Sequence, residues 1–496
     1  MKKILKWTGW ALLTVVLLVG LLAVLLYVPP VQNWAVKQVA RVASEKTGMD
    51  ISVERVRLEF PLRLGMEGVK VLKSDSLTLH RDTVAMVTKA VVDVQLKPLF
   101  SNRVEVDQLD LQGVTFNTSD FVADAWVKGT VGRLSLQSHG IDLKGETLRL
   151  DDALLSDANV RVVLPDSVPP DTTESTNKWK IMVDKLKVER SHVTVHLPGD
   201  TLQVAAYLGN TVAQGGTFDL GKGDYKIRKL DWNNGALSYN DRYEKKVEGL
   251  DYNHLALSDI HLGVDSLCYN ASKLELQVRS ASLKEKSGLQ VDSLSGRIAM
   301  DSTRLYLPDI RLRTPESSLD AHFVMDQDAF SDSVPGKVHL RADGTFGKQD
   351  IMRFLGGMPS DFIRRWPNQP LTVKTVLSGN LERMEFAGLN ARLPGAFNVN
   401  AKGSLANLSD TERLRANIDV DAKAQDIDFL SALVPPKTLD GIRIPKGIGL
   451  KGNLVMDGEQ YKADMVATEG QGRVKLKADL DTRGGNYIFI FYQKSF

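Results

Sequence analysis

The 496-residue chain has a single cysteine, Cys268, so no disulfide can form within it. A lone thiol of this kind fits an oxidising compartment without requiring one and reads best as a small apolar group. Excess charge is also missing: 63 Lys and Arg stand against 61 Asp and Glu, a net +2. Nucleic-acid binding usually rests on a strong basic excess, and that support is absent. The sequence lacks a P-loop, a Rossmann glycine pattern, a G-x-S-x-G elbow and a cysteine-nucleophile signature. Its eight histidines are scattered. His192 and His196 have the spacing of a zinc helix, but Val193, Val195 and Leu197 alternate around them as in a strand. That sets the two rings ~13 Å apart, too far to share a zinc. Residues 219–224 (DLGKGD) have part of the look of a calcium loop without its oxygen ligands, and read as a turn. Asp and Ser are plentiful, mostly in D-S and S-D pairs that favour turns. No convergent set of titratable groups is present, so the sequence predicts a non-enzyme with no catalytic residue, cofactor or metal.

What the sequence does have begins at its N-terminus. Lys2, Lys3 and Lys6 precede an uncharged apolar run over residues 8–28, interrupted by Gly9, Thr14 and Gly20. About 20 helical residues cross the ~30 Å of hydrocarbon in a bilayer. Trp7, Trp10 and Tyr27 fall near the ends of the run, where aromatic rings favour the headgroup zone. A cleaved signal peptide would carry a shorter apolar core, ~7–15 residues, ending at a small-x-small site. This run leaves instead through Tyr27-Val28-Pro29-Pro30. Residues 1–30 are therefore expected to be a cytoplasmic N-terminus and an uncleaved transmembrane anchor containing Trp10, Leu17, Leu22 and Tyr27. The rest of the chain then lies beyond the membrane. In residues 31–50, Val31, Trp34, Ala35, Val39 and Val42 recur at helical spacing with Gly48 as a stop. This amphipathic helix either caps the first strands or lies on the outer leaflet.

From Ile51 the hydrophobic period changes from 3.6 to 2. Val84, Met86, Val92, Val94 and Leu96 occupy even positions of one run, with Lys89, Asp93, Gln95 and Lys97 at odd ones. The pattern predicts a strand whose even-numbered residues form its dry face. Similar runs include Val193-Val195-Leu197 and Leu319-Ala321-Phe323-Met325. Larger units repeat as well. Leu186-x-Val188 followed by Val193-x-Val195 has the spacing of Leu230-x-Trp232 followed by Leu237-x-Tyr239. Leu109-x-Leu111 followed by Val114-x-Phe116 is a shortened version. Each follows a hydrophobic-x-x lead-in, at Val183, Ile227 or Val106. These units predict paired strands, added one after another as similar hairpins. The later repeat carries a central glycine: Ala342-x-Gly344-x-Phe346, Leu377-x-Gly379-x-Leu381, Ala401-x-Gly403-x-Leu405 and Leu450-x-Gly452-x-Leu454. Such a glycine marks a bulge, a bend or a close backbone approach. Helical plugs are expected near residues 350–366 and 427–434. Residues 165–177 (PDSVPPDTTESTN) lack periodicity and read as an exposed loop between β regions at 51–164 and 178–496.

The order of these elements resembles the AsmA-like family. The anchor, the short helix ending in Thr47-Gly48, and the strands Ile51-Ser-Val53 and Val56-Arg-Leu-Glu-Phe-Pro61 look like the start of such proteins. Residues 62–69, 92–100 and 104–114 extend the likeness, and the Gly-x-Leu repeats with Trp366-Pro367 resemble its TamB branch. The likeness covers essentially the whole chain through degenerate motifs. It implies an inner-membrane protein of a Gram-negative cell whose periplasmic β-groove carries phospholipid toward the outer membrane. It also implies a link to the assembly of outer-membrane β-barrel proteins, with a BamA-like outer-membrane partner reached through a C-terminal region not evident in this chain. TamB-type proteins are longer. The apolar-aromatic close at residues 486–496 abandons the alternation and reads as a last strand or as the end of a truncated or frame-disrupted product, an N-terminal portion.

Lipid handling can be argued without that likeness. Many one-sided strands and few helices leave the apolar faces either to meet each other or to line a cleft. A pattern that continues from residue 51 through a 496-residue chain outgrows a single compact core. The fold class expected is all-β: a long repetitive antiparallel sheet folded into an elongated, β-taco-like groove, with an N-terminal transmembrane helix and a few short capping helices. About 25 strands at ~4.8 Å spacing would reach on the order of 120 Å. The expected lining is Val84, Met86, Val92, Val94, Leu96, Val195, Tyr239 and Met325. The expected partners are membrane phospholipids and the inner membrane, with no nucleic acid. The alternative is a scaffold or chaperone that pairs with unfolded outer-membrane strands through a sheet edge.

Overall fold

The computed structural model describes residues 49–59, 63–74, 81–94, 106–119, 125–142, 145–164, 178–197, 201–270, 272–329, 335–408, 413–433, 446–481 and 486–493, with Ser44, Gly199, Ser331 and Asp410. The expected anchor with Trp10, Leu17, Leu22 and Tyr27, most of the 31–50 segment, the 165–177 loop and Leu96 lie outside the described residues. No helix among the described residues is long and apolar enough to cross a membrane. The protein is all-β, with twenty-three strands and only short helices among the described residues. It divides into two compact units, Met1–Tyr243 and Glu244–Phe496. The division does not fall at 165–177, whose flanking strands pair with each other.

The first unit contains β1 (Asp50–Glu59), β2 (Arg63–Ser74), β3 (Arg81–Val94), β4 (Val106–Thr118) and β5 (Trp126–Asp142). After these come β6 (Thr147–Val163), β7 (Lys180–His196), β8 (Leu202–Asp219) and β9 (Asp224–Asp241). Sequential neighbours pair antiparallel except β6 and β7, which are parallel and correct the expectation of an antiparallel sheet throughout. Residues 219–224 form the tight β8–β9 turn, with the Asp219 carboxylate accepting the Lys222 N–H at 3.0 Å.

A second correction concerns the repeats. The units expected to be pairs of strands are each one continuous strand: β4 spans Leu109 to Phe116, β7 spans Leu186 to Val195, and β9 spans Leu230 to Tyr239. The step between half-units is odd, so a regular strand would turn the second half outward. Left-handed residues absorb the extra step. Gly68, Gly113, Asp157, Arg190 and Asn234 have φ of 65°, 62°, 54°, 45° and 53°. The registers on either side put them in one cross-strand row: Gly68, Thr88, Gly113, Gly132, Asp157, Arg190, Gly209, Asn234. The registers run unbroken through this row, so no residue is inserted on one strand against its neighbour, and the irregular positions stand opposite one another. A Cβ on Gly113 would stand 2.6 Å from Thr88 Oγ1, whose hydroxyl donates to the Gly113 carbonyl at 3.1 Å.

On one side of this bend row, Val53, Val69, Val87, Val114 and Val131 are in register. On the other, Leu64, Val92, Leu109, Leu136, Ala153, Leu186, Ala213 and Leu230 are in register. The polar Arg55, Glu67, Lys89, Gln112 and Arg133 fall between them. The eight strands β2 to β9 shift together, so the pairing survives while the apolar face stays on one side.

The second unit contains β10 (His254–Asn270), β11 (Lys273–Glu285), β12 (Gln290–Asp301), β13 (Arg304–Arg313), β14 (Ser318–Asp326) and β15 (Val338–Phe346). Next are β16 (Leu371–Gly379), β17 (Arg383–Leu393), β18 (Phe397–Ala406) and β19 (Arg415–Ala424). The last are β20 (Ile448–Asp457), β21 (Gln460–Glu469), β22 (Gly472–Asp481) and β23 (Asn486–Gln493). Each pairs antiparallel with the next. The repeated glycines are sites of close backbone approach: a Cβ on Gly403 would meet Asn417 O at 2.1 Å. The helical pattern at 350–366 is two short helices rather than one, α1 (Lys348–Phe354) and α2 (Ser360–Arg365). Gly356, Gly357 and Pro359 between them disfavour continuation. Asp428–Leu433 is a 3-10 helix.

Candidate functional site

The registers of the second unit assemble one face from apolar rows. One row joins Tyr269, Leu274, Met300, Leu305, Met325, Val338, Gly379, Met384, Leu405, Ala416, Met456, Tyr461 and Leu480 across β10 to β22. The next row inward joins Leu307, Phe323, Leu340, Leu377, Phe386, Gly403, Ile418, Leu454, Ala463 and Ala478. Residues directly opposite in neighbouring strands share a face, so each row is a continuous apolar band. The reverse face is charged. Its rows include Asp320, Asp343, Lys374, Asn390, Asn400, Asp421 and Lys451, with Lys374 on Asp343 at 2.7 Å and Lys451 on Asp421 at 2.9 Å.

The two ends of these strands differ. At one end, α1, α2 and the 3-10 helix form a rim. Its core joins Phe362, Trp366, Leu393, Ala396 and Phe429, with Leu371 and Phe397 packed against it. Phe362 and Trp366 meet Phe429 at ring-centroid distances of 5.9 Å and 5.1 Å. The rim is tied to the sheet by buried Asp350, which accepts from Arg353 at 2.7 Å, Ser317 at 2.6 Å and the Thr314 hydroxyl. The segment before β10 joins the same rim, where the Leu250 N–H donates to Arg353 O at 2.9 Å. Buried Asp251 accepts from His254 Nδ1 at 2.9 Å and from the Val247 and Asn253 amides. Burial pushes the Asp251 carboxyl up, but these three donors outweigh it and hold the group below the usual carboxylate range. At the other end no helix occurs among the described residues, and the Met325 row is open in part: Tyr269, Met300 and Tyr461 are 48%, 39% and 43% exposed and Met325, Met384 and Met456 half-buried, against 0% for Leu393 in the rim.

Two hollows among the described residues of this unit differ in their lining. The larger, about 1330 Å³, is lined by Arg341, Asp343, Lys374, Lys402, Asp421 and Lys451 among others and takes no residue from the Met325 or Leu307 row. Its charges are of both signs and several are mutually paired, so it presents no field of one sign to a ligand. The smaller, about 350 Å³, lies on the apolar face between Leu405, Ile418, Leu454, Met456, Tyr461 and Leu480. No group of three or more His, Cys, Asp or Glu among the described residues could hold a metal ion.

The residues singled out from sequence fall as follows. Val84 is buried, Val92 sits in the apolar row with Leu64 and Leu109, and the backbone of Val94 ends β3. Met86 is 43% exposed and in register with Ser52, Lys70, Thr115 and Thr130, a row more polar than that of Val92. The row through Thr88 shifts the alternation by one between Met86 and Val92. Val195 and Tyr239 come together in one row, Val127, Val162, Val195, Val204, Tyr239. Met325 belongs to the open row of the second unit. The companions Met300 and Met456 were missed, although a signal exists: Met300-Asp301, Met325-Asp326 and Met456-Asp457 each close a strand before a turn. No protein-family model matches the chain, and no curated protein matches it.

Proposed function

We propose that this chain is an AsmA-like protein of the TamB branch, held in the inner membrane by residues 8–28. In this reading it binds phospholipid through the acyl chains on the apolar face of its sheet, passes it toward the outer membrane, and performs no catalysis. The observation that carries the reading is the pair of apolar rows led by Met325 and Leu307, unbroken in register and partly open to solvent. Uncovered apolar surface forgoes about 25 cal/mol per Å². An acyl chain recovers that energy and needs no hydrogen bond in return, which suits a face whose backbone N–H and C=O groups are already spent in the ladders between strands. The bend row of the first unit supports a sheet folded into the walls of a groove, because left-handed residues aligned across the strands interrupt the regular pleat of all of them at one level.

The full-length chain, gently solubilised and examined by native mass spectrometry, should carry phospholipid. Folded protein without lipid would sink the reading, and stoichiometric capture of an unfolded β-barrel strand in its place would favour a chaperone. Protease added to spheroplasts should degrade the body of the protein. An N-terminus that begins after Tyr27 would remove the anchor.

A further inference from the structure

The row through Met325 differs from the rest of the apolar face in composition and exposure. Four of the chain's twelve methionines, Met300, Met325, Met384 and Met456, lie in it, accompanied by Tyr269 and Tyr461. It runs at or one residue in from the strand ends where no helix occurs among the described residues, while the opposite end is closed by the rim around Phe362 and Trp366. We infer that this row is the lip over which acyl chains reach the apolar face, so that lipid approaches the second unit from the turn side and never across the rim. The inference rests on the lipid reading above and adds the side of access.

Three observations support it. Methionine is unbranched and polarisable, and repacks around chains of varied shape better than Leu or Val. Tyrosine combines an apolar ring with a polar tip, the combination favoured where one end is dry and the other wet. Among the described side chains on the strands of this unit, the exposed large apolar ones, Tyr269, Met300, Leu454 and Tyr461, all belong to the lip row or to the row beside it. The occupant is an acyl chain rather than an extended peptide, because the lip lies on a sheet face whose strands are hydrogen-bonded on both sides. Strand addition needs a free edge.

The test uses the full-length chain and vesicles of phosphatidylethanolamine and phosphatidylglycerol in which one acyl chain carries a diazirine. After irradiation, adducts should concentrate in peptides containing Met300, Met325 and Met456. The double variant M325Q/M456Q, with an unchanged circular dichroism spectrum, should lower capture roughly tenfold, the effect of withdrawing one or two buried apolar side chains. Adducts spread equally onto Val373 and Val399 beside the rim would overturn the side of access and leave lipid binding standing. Absence of adducts on either face would overturn both readings. Displacement of the lipid by an unfolded outer-membrane strand peptide would overturn the choice of occupant.

Discussion

Arg190 holds both carboxylate oxygens of Asp157, through Nε at 2.7 Å and Nη2 at 2.8 Å, and both residues have a left-handed backbone. They face each other across β6 and β7, the one parallel pairing among the described residues. In the antiparallel stretch the left-handed positions fall on alternate strands, β2, β4 and β6; at the parallel junction two successive strands carry one. The ion pair is exposed, so its Coulomb contribution is small. Its effect is to fix where two strained backbones meet. Asp157→Asn keeps a residue that tolerates this conformation and should change the thermal midpoint little. Asp157→Val should lower it clearly. Gly113→Val should cost at least about 1–2 kcal/mol in backbone strain, with a clash against Thr88 added. Equal midpoints for Asn and Val at 157 would contradict the strain account.

The bend row also decides which substitutions in β3 matter. Val92 and Met86 are both even-numbered, yet they lie on opposite faces once the alternation shifts at Thr88. Val92→Asp puts a charge into an apolar row and should destabilise by about 1–3 kcal/mol, the usual cost of an uncompensated polar group in a protein. Met86→Asp joins Lys70 and Thr115 on the polar face and should change stability by less than about 0.5 kcal/mol. Denaturant melts of the two variants decide it, and similar losses would mean that the sheet keeps one uninterrupted alternation.

Much of this architecture could be read from period and spacing alone. The period of 2 marks the strands because one face of each is dry, and the short helical plugs stand out because their period differs. The bend row was visible as well, in the odd step from Val188 to Val193 and from Trp232 to Leu237. It was read as a break between strands because alternation has no way to express a left-handed residue inside one. The parallel pairing of β6 and β7 leaves no local trace, since pairing direction is set by partners far along the chain. The lip was missed for a related reason: its methionines are separated by tens of residues in sequence, and only register makes them neighbours.

The rim should respond to Asp350. Its carboxylate is buried and accepts from Thr314, Ser317 and Arg353, which join α1 to the β13–β14 turn. Asp350→Ala leaves those donors unpaired, at about 1–3 kcal/mol. Among the described residues of the rim, the buried Trp366 indole N–H already lacks a partner. Amide exchange in α1 and α2 should accelerate in the variant while β18 and β19 stay protected. Uniform acceleration through the strands would mean that the rim and the sheet open as one unit.

Acid should loosen the start of β10 beside the rim through Asp251 and through Glu285, the buried last residue of β11, which accepts from the Ala256 amide. Burial pushes the Glu285 carboxyl up, but hydrogen bonds from Ser287, with the amide of Ala256 adding to them, hold it below its ordinary range, as the donors around Asp251 do for that group. A carboxyl with a depressed folded-state pKa binds fewer protons folded than unfolded in the window beneath its ordinary value of about 4. Its stabilisation is therefore complete above that value and is lost as pH falls through the lower folded one. Protection of the Val247, Asn253 and Ser287 amides should fall on acidification below about pH 4 and should not change between neutral pH and pH 5. Glu285→Gln should be less stable than the parent at neutral pH, because the amide accepts these donors more weakly than a carboxylate. Its stability should then depend less on pH in the acid window, so the two curves converge as pH drops. Curves that stay parallel down to acid unfolding would show that neither carboxylate is linked to the stability of this segment.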